Sequence, residues 1–129
     1  FRDALALYQK IDSLSDIART KAKLAFSLIY LDDEESVDEW TRNLTEARSI
    51  LSETVTSAEK IHDQDLLRDC RKGIGHCFWK ESKFSEALPC YKFVYDDCRR
   101  SQPAISNLVF DACKDLADCH EKLGSDDEA

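Results

Sequence analysis

The chain has 129 residues, a mass of 14.8 kDa and 43% hydrophobic residues, which suits one domain with a core of its own. A formal charge of −8, from 26 acidic against 18 basic residues, argues against a partner of bare nucleic acid, which needs clustered Lys and Arg. The longest apolar run, Leu24 to Leu31 with Ser27 inside it, is far below the roughly 20 residues that cross a bilayer, so no membrane partner is expected.

Only 3 glycines and 2 prolines punctuate the chain, too few for the turns of a sheet protein, and apolar residues recur at helical spacing nearly everywhere. The expected class is all-α, with six antiparallel helices. Phe1, Ala4, Leu5, Tyr8, Ile11 and Leu14 share one face of a first helix, which the stretch Ser13 to Asp16 is expected to end. A second spans about Ile17 to Leu31 and stops at the acidic stretch Asp32-Asp33-Glu34-Glu35. A third runs from Val37 or Trp40 to Ile61, a fourth from Gln64 to Lys80, a fifth from Ser85 to Arg100, and a sixth from Ala104 to Leu123. Pro89 falls early in the fifth helix, where Ser85 is the expected cap and a small distortion is expected. Cys70, Cys77, Cys90, Cys98, Cys113 and Cys119 form no CxxC pair and sit in helical sequence. Reduced, mostly buried thiols are the expectation, which favours a cytoplasmic or nuclear protein.

Repetition organises these helices. Phe84-x-x-Ala87-x-x-x-Tyr91 returns as Phe1-x-x-Ala4-x-x-x-Tyr8 and, with conservative changes, as Leu44-x-x-Ala47-x-x-x-Leu51. The alanines at 4, 47, 87 and 129 thus recur roughly every 40 residues. A second series, Leu24-Ala25-x-x-Leu28, Ile74-Gly75-x-x-Phe78 and Leu116-Ala117-x-x-His120, precedes each later alanine.

Together the two series resemble the tetratricopeptide repeat, with Ile74, Gly75, Phe78, Phe84, Ala87 and Tyr91 at that family's spacing. The flanking units depart from the pattern at Leu51 and His120, and no helix-ending proline follows the central unit. Longer units of this kind are similar to those of kinesin light chain, Pins-type adaptors and Tonsoku-like proteins. The resemblance implies an α-solenoid of antiparallel helix pairs: residues 1–14 as the second helix of an upstream repeat, 17–61 and 64–100 as two repeats, and 104–129 as the start of a third. Such a chain is expected to be part of a longer array. At Gly75 two helices approach closely, and Phe78, Phe84 and Tyr91 fill the space beside it. Gly73 has no such role and is expected to be merely tolerated.

The resemblance also implies a concave groove lined by the first helix of each unit and no chemistry. Its positions are Arg19, Ala22, Phe26, Ile29 and Tyr30, then Asp69, Lys72, His76, Trp79 and Lys80, then Asp111, Lys114, Asp118, Glu121 and Lys122. Arg19, Phe26, Tyr30, Lys72, His76, Trp79, Lys80 and Lys114 are the candidate site, suited to a protein or peptide with apolar residues and acidic flanks. The family's carboxylate clamp is not expected, because Ala22 and Phe26, then Asp111 and Asp115, occupy its positions.

Other readings stand beside this one. Self-association through an edge helix is one. Another is a redox or metal protein using His76 with Cys77 and Cys119 with His120, although adjacent helical residues do not face each other and both cysteines take the same inward position. The acidic turn 32–39, which lacks the order of an EF-hand loop, is an alternative binding surface. No cofactor or metal is expected.

Overall fold

A computed structural model describes residues 2–30, 37–101 and 106–128. These form α1 (Arg2–Ile29), α2 (Val37–Lys60), α3 (Gln64–Lys80), α4 (Phe84–Ser101) and α5 (Asn107–Glu128), with no strand among the described residues. Each helix packs on the next in the chain, and α1 also touches α3.

The break expected at Ser13 to Asp16 does not occur. One helix of 28 residues runs through it, so the boundary drawn between 1–14 and 17–61 falls inside α1, and six expected helices become five. The reason lies in phase: Ala18, Ala22, Ala25 and Ile29 are buried on one stripe, and Leu14, although exposed, stands four residues before Ala18 in the same helical phase. No Gly or Pro interrupts the stretch. Polar side chains within α1 also fold back onto the preceding turn, as Thr20 Oγ1 does in donating to the Asp16 carbonyl at 2.8 Å. The acidic residues 32–35 and the expected start of the last helix at Ala104 lie outside the described residues. The last helix continues beyond Leu123 to Glu128.

Two turns share one geometry. After α2 the N–H of Asp63 donates to the Ala58 carbonyl and that of His62 to Glu59; after α3, Lys83 donates to Phe78 and Ser82 to Trp79. His62 and Ser82 take φ of 55° and 60°, the left-handed conformation that closes a helix C-terminus. Glycine normally fills this position, so each non-Gly residue costs on the order of 1 kcal/mol. Asp63 then caps α3 by accepting the Leu66 N–H at 3.1 Å. At the start of α4 the Lys83 carbonyl accepts from Glu86 and Ala87, so Ser85 sits inside the first turn and is not the cap. Pro89 lies within α4, past the N–H groups that would be free in any case, and is exposed.

The core falls into connected clusters. Ala18, Ala22, Ala25 and Ile29 meet Leu44, Ala47 and Leu51 of α2 and Cys70, Ile74 and Cys77 of α3. Ala87, Tyr91 and Cys119 join α4 to α5, with Phe78, Trp79 and Phe84 packed against them. Val94, Cys98 and Ala112 form a third cluster. Both helical glycines in α3 are contact points. A Cβ at Gly75 would stand 2.9 Å from Tyr91 Cε1, in keeping with the close approach expected there. Gly73, expected to be merely tolerated, is as tightly enclosed: a Cβ would meet Leu51 Cδ1 at 2.7 Å and Phe26 Cε1 at 2.9 Å. The small faces of α1 and α3 thus let both pack on α2. Between α3 and α4 a buried polar link adds to the apolar contacts: Arg68 Nη1 lies 3.3 Å from Asp97 Oδ2, and Gln64 donates to Asp97 Oδ1 at 2.8 Å.

Candidate functional site

The periodic positions on α1 and α3 bring most of the expected groove residues to one region. Phe26 and Tyr30 stack with ring centroids 6.4 Å apart and planes 12° from parallel; Phe26 is half-buried against Gly73, and Tyr30 is 59% exposed. Lys80, one helix away, donates from Nζ to the Ile29 carbonyl at 2.7 Å and stands 5.6 Å from the Tyr30 ring centroid. The last turn of α1 has no basic residue of its own, so this ammonium also complements the negative end of that helix.

Further along, α3, α4 and α5 enclose a cleft of about 160 Å³ lined by His76, Trp79, Tyr91, Asp115 and Asp118. Trp79 is half-buried, edge-on to Phe84 at 4.8 Å and to Tyr91 at 6.4 Å. It is therefore partly core, not the free anchor expected from its groove position. His76 Nδ1 and the Tyr91 hydroxyl are 2.8 Å apart. Burial first, then the Lys72 and Lys80 ammonium groups, lower the His76 pKa to about 4, so the ring is neutral at pH 7. Burial raises the pKa of Asp115, which Asp111 and Asp118 raise further while Lys72 pulls it down. Burial likewise raises that of Tyr30, with Asp115 the next cause, which places the α5 carboxylate within electrostatic reach of the end of α1. Among the described residues, no cation lies within ion-pair distance of Asp115 or Asp118.

Several expected groove positions fall elsewhere. Ala22 and Ile29 are buried in the core. Arg19 binds Asp63 Oδ2 at 2.5 Å and so ties α1 to the turn that caps α3. Lys114 is exposed and lines no part of the cleft. Conversely, Tyr91 was legible only as a packing position, yet its hydroxyl reaches the cleft. Asp115 was legible only as a residue unfit for a carboxylate clamp. Asp118 lay on the groove pattern but carried no aromatic or basic group to single it out.

The Cys/His pairs do not form nucleophile and base. Cys77 is fully buried, its pKa raised to about 11 chiefly by burial, while His76 turns to Tyr91. Cys119 is buried and its Sγ lies 3.2 Å from the Phe84 carbonyl; His120 is exposed instead of filling an aromatic slot. Among the described residues no group of three or more His, Cys, Asp or Glu side chains could hold a metal ion. None of the described helices is long and apolar enough to cross a membrane. No family model, curated protein or solved structure matches the chain.

Proposed function

We propose that the chain is a helical-repeat module of tetratricopeptide type that binds a protein or peptide along the face shared by α1, α3 and α5, and performs no chemistry on it. The observation that carries this reading is the convergence of Tyr30, Lys80, Trp79 and His76 beside an open cleft, with Trp79 packed on the core, His76 bonded to Tyr91, and Tyr30 stacked on the core-packed Phe26. Aromatic surface held rigidly loses little entropy when a partner covers it, and flanking charges orient the partner. Lys72 and Lys80 suit acidic residues at the partner's ends. The buried alanines Ala25, Ala47 and Ala87, with Gly75, support the repeat register, because each sits where two helices meet. The reduced thiols favour the cytosol or nucleus as the compartment.

A second reading, self-association, has its own support. Leu14, Ile17 and Leu24 are exposed on α1, as is Phe110 on α5. A photoreactive phenylalanine analogue placed at Tyr30, or separately at Phe110, tests both. Crosslinking from position 30 to a different protein, abolished by Lys72→Glu, supports the groove. Crosslinking only from position 110, and only to a second copy, sinks the groove reading in favour of self-association.

A further inference from the structure

We infer that the cleft between α3, α4 and α5 receives one cationic side chain, lysine or arginine, from the bound partner. This rests on the peptide-binding reading above and goes beyond it, since the sequence pointed to acidic recognition alone.

Size restricts the occupant first. A cleft of about 160 Å³ holds a single side chain, whereas a pocket for a whole drug-sized ligand takes roughly 300 Å³ or more. The lining then selects by chemistry. Trp79 and Tyr91 present aromatic surface to an alkyl stem or a cation, and His76, hydrogen-bonded to Tyr91, adds no positive charge. Asp115 and Asp118 put two carboxylates on the opposite wall, from α5. Asp115 is half-buried among other acids and bears a desolvation cost that no ion pair within the described residues offsets. An ammonium or guanidinium entering here meets both carboxylates at short range; a carboxylate would be repelled by both.

Lys72 and Lys80 oppose this choice but do not cancel it. Neither lines the cleft, and Lys80 is directed to the Ile29 carbonyl and the Tyr30 ring. Both belong to α3 and form a positive rim along it, with Lys80 reaching the end of α1, across from the acidic wall on α5. A partner with a basic residue next to acidic ones satisfies both sides, and that polarity fixes the direction in which it lies.

Short acetylated peptides that differ only at their central residue (arginine, lysine, norleucine or glutamate) test the assignment. Binding is read from the Trp79 indole N–H resonance and from fluorescence anisotropy. The two cationic peptides are expected to bind roughly 10-fold tighter than the other two, a preference that added salt weakens. Asp115→Asn with Asp118→Asn removes the preference while leaving circular dichroism and melting unchanged or improved, because a buried charge is lost. Lys72→Ala, by removing a competing cation, strengthens the cationic peptides further and supplies a second readout that does not touch the lining. If all four peptides shift the Trp79 resonance with equal affinity, or glutamate binds best, the cation assignment is overturned and the peptide-binding groove survives. If none of them moves any resonance of Tyr30, His76 or Trp79, both readings fall.

Discussion

The neutral state of His76 makes stability depend on pH in a way that can be isolated. In the unfolded chain an imidazole titrates near 6.5; in the folded chain burial and the neighbouring Lys72 and Lys80 hold it at about 4. Between those values the unfolded state binds more protons than the folded one, so stability is complete above about pH 6.5 and is lost as pH falls toward about 4. At about 1.4 kcal/mol per pH unit, the loss between about pH 7.5 and about pH 4.5 comes to roughly 2.5 kcal/mol. Other groups around the cleft titrate in the same region. Asp115, whose pKa is raised, contributes with the opposite sign, favouring the folded state as the pH drops.

A His76→Gln variant removes the imidazole and leaves those groups in place. Urea denaturation of both proteins at the two pH values gives the quantity of interest, the parent's stability minus the variant's. It is expected to fall by roughly 2 to 3 kcal/mol on acidification, and the imidazole proton resonances of the parent should titrate with a midpoint near 4. A pH-independent difference, or a midpoint near 6.5, refutes the burial of His76 between α3 and α4 and with it the neutral wall of the cleft.

Four more perturbations probe the frame that holds this site. Asp97→Ala takes from Arg68 its buried partner and leaves only the exposed Asp65, 3.1 Å away, and should cost up to about 3 kcal/mol in denaturant melts; adding Arg68→Met should recover most of that, and no recovery means that the loss does not come from Arg68. Ser82→Gly relieves the left-handed residue after α3 and should raise stability by roughly 0.5 to 1 kcal/mol, whereas a loss would show the turn is not closed as described. Ala87→Leu forces extra methylenes between Tyr91 and Cys119 and should destabilise by about 1 to 3 kcal/mol; an unchanged melting temperature rejects the close contact. With a thiol reagent under native conditions, exposed Cys113 should react fast, half-buried Cys90 slowly and the four buried cysteines only on unfolding, so fast labelling that survives Cys113→Ser contradicts the packing.

Helix class was legible because α3 and its turns carry their own signals. The spacing of Ile74, Gly75, Phe78, Phe84, Ala87 and Tyr91 marks two helices meeting across a short turn, and all six are buried or half-buried. Polar composition was a poorer guide. Ser13 to Asp16 reads as a helix end, yet a serine or aspartate interrupts a helix only when the backbone gains a competing partner, and the continuous apolar phase of α1 outweighed that tendency. Gly73 shows a limit of another kind. Its value depends on Leu51 and Phe26, two side chains from two other helices, so no local pattern announces it.

The candidate site follows the same division between what is local and what is not. Lys80 could be placed on the groove from its position in α3, but its bond to the Ile29 carbonyl depends on where α1 ends, which the sequence did not fix to the residue. The aspartates of α5 were visible as an acidic helix, and in isolation an acidic helix is most often a solvated face. What changes their meaning is the aromatic wall opposite them. Trp79 and Tyr91 keep one side of the cleft apolar, and Asp115 across from them is drawn partly out of water with Lys72 attracting it only from beyond ion-pair distance. The two walls of the cleft thus come from α3 and α5, two helices that do not pack on each other and are set apart by α4. A change in how α4 seats Tyr91 is therefore expected to alter the width of the cleft and, on the proposed reading, the preference for a cationic side chain.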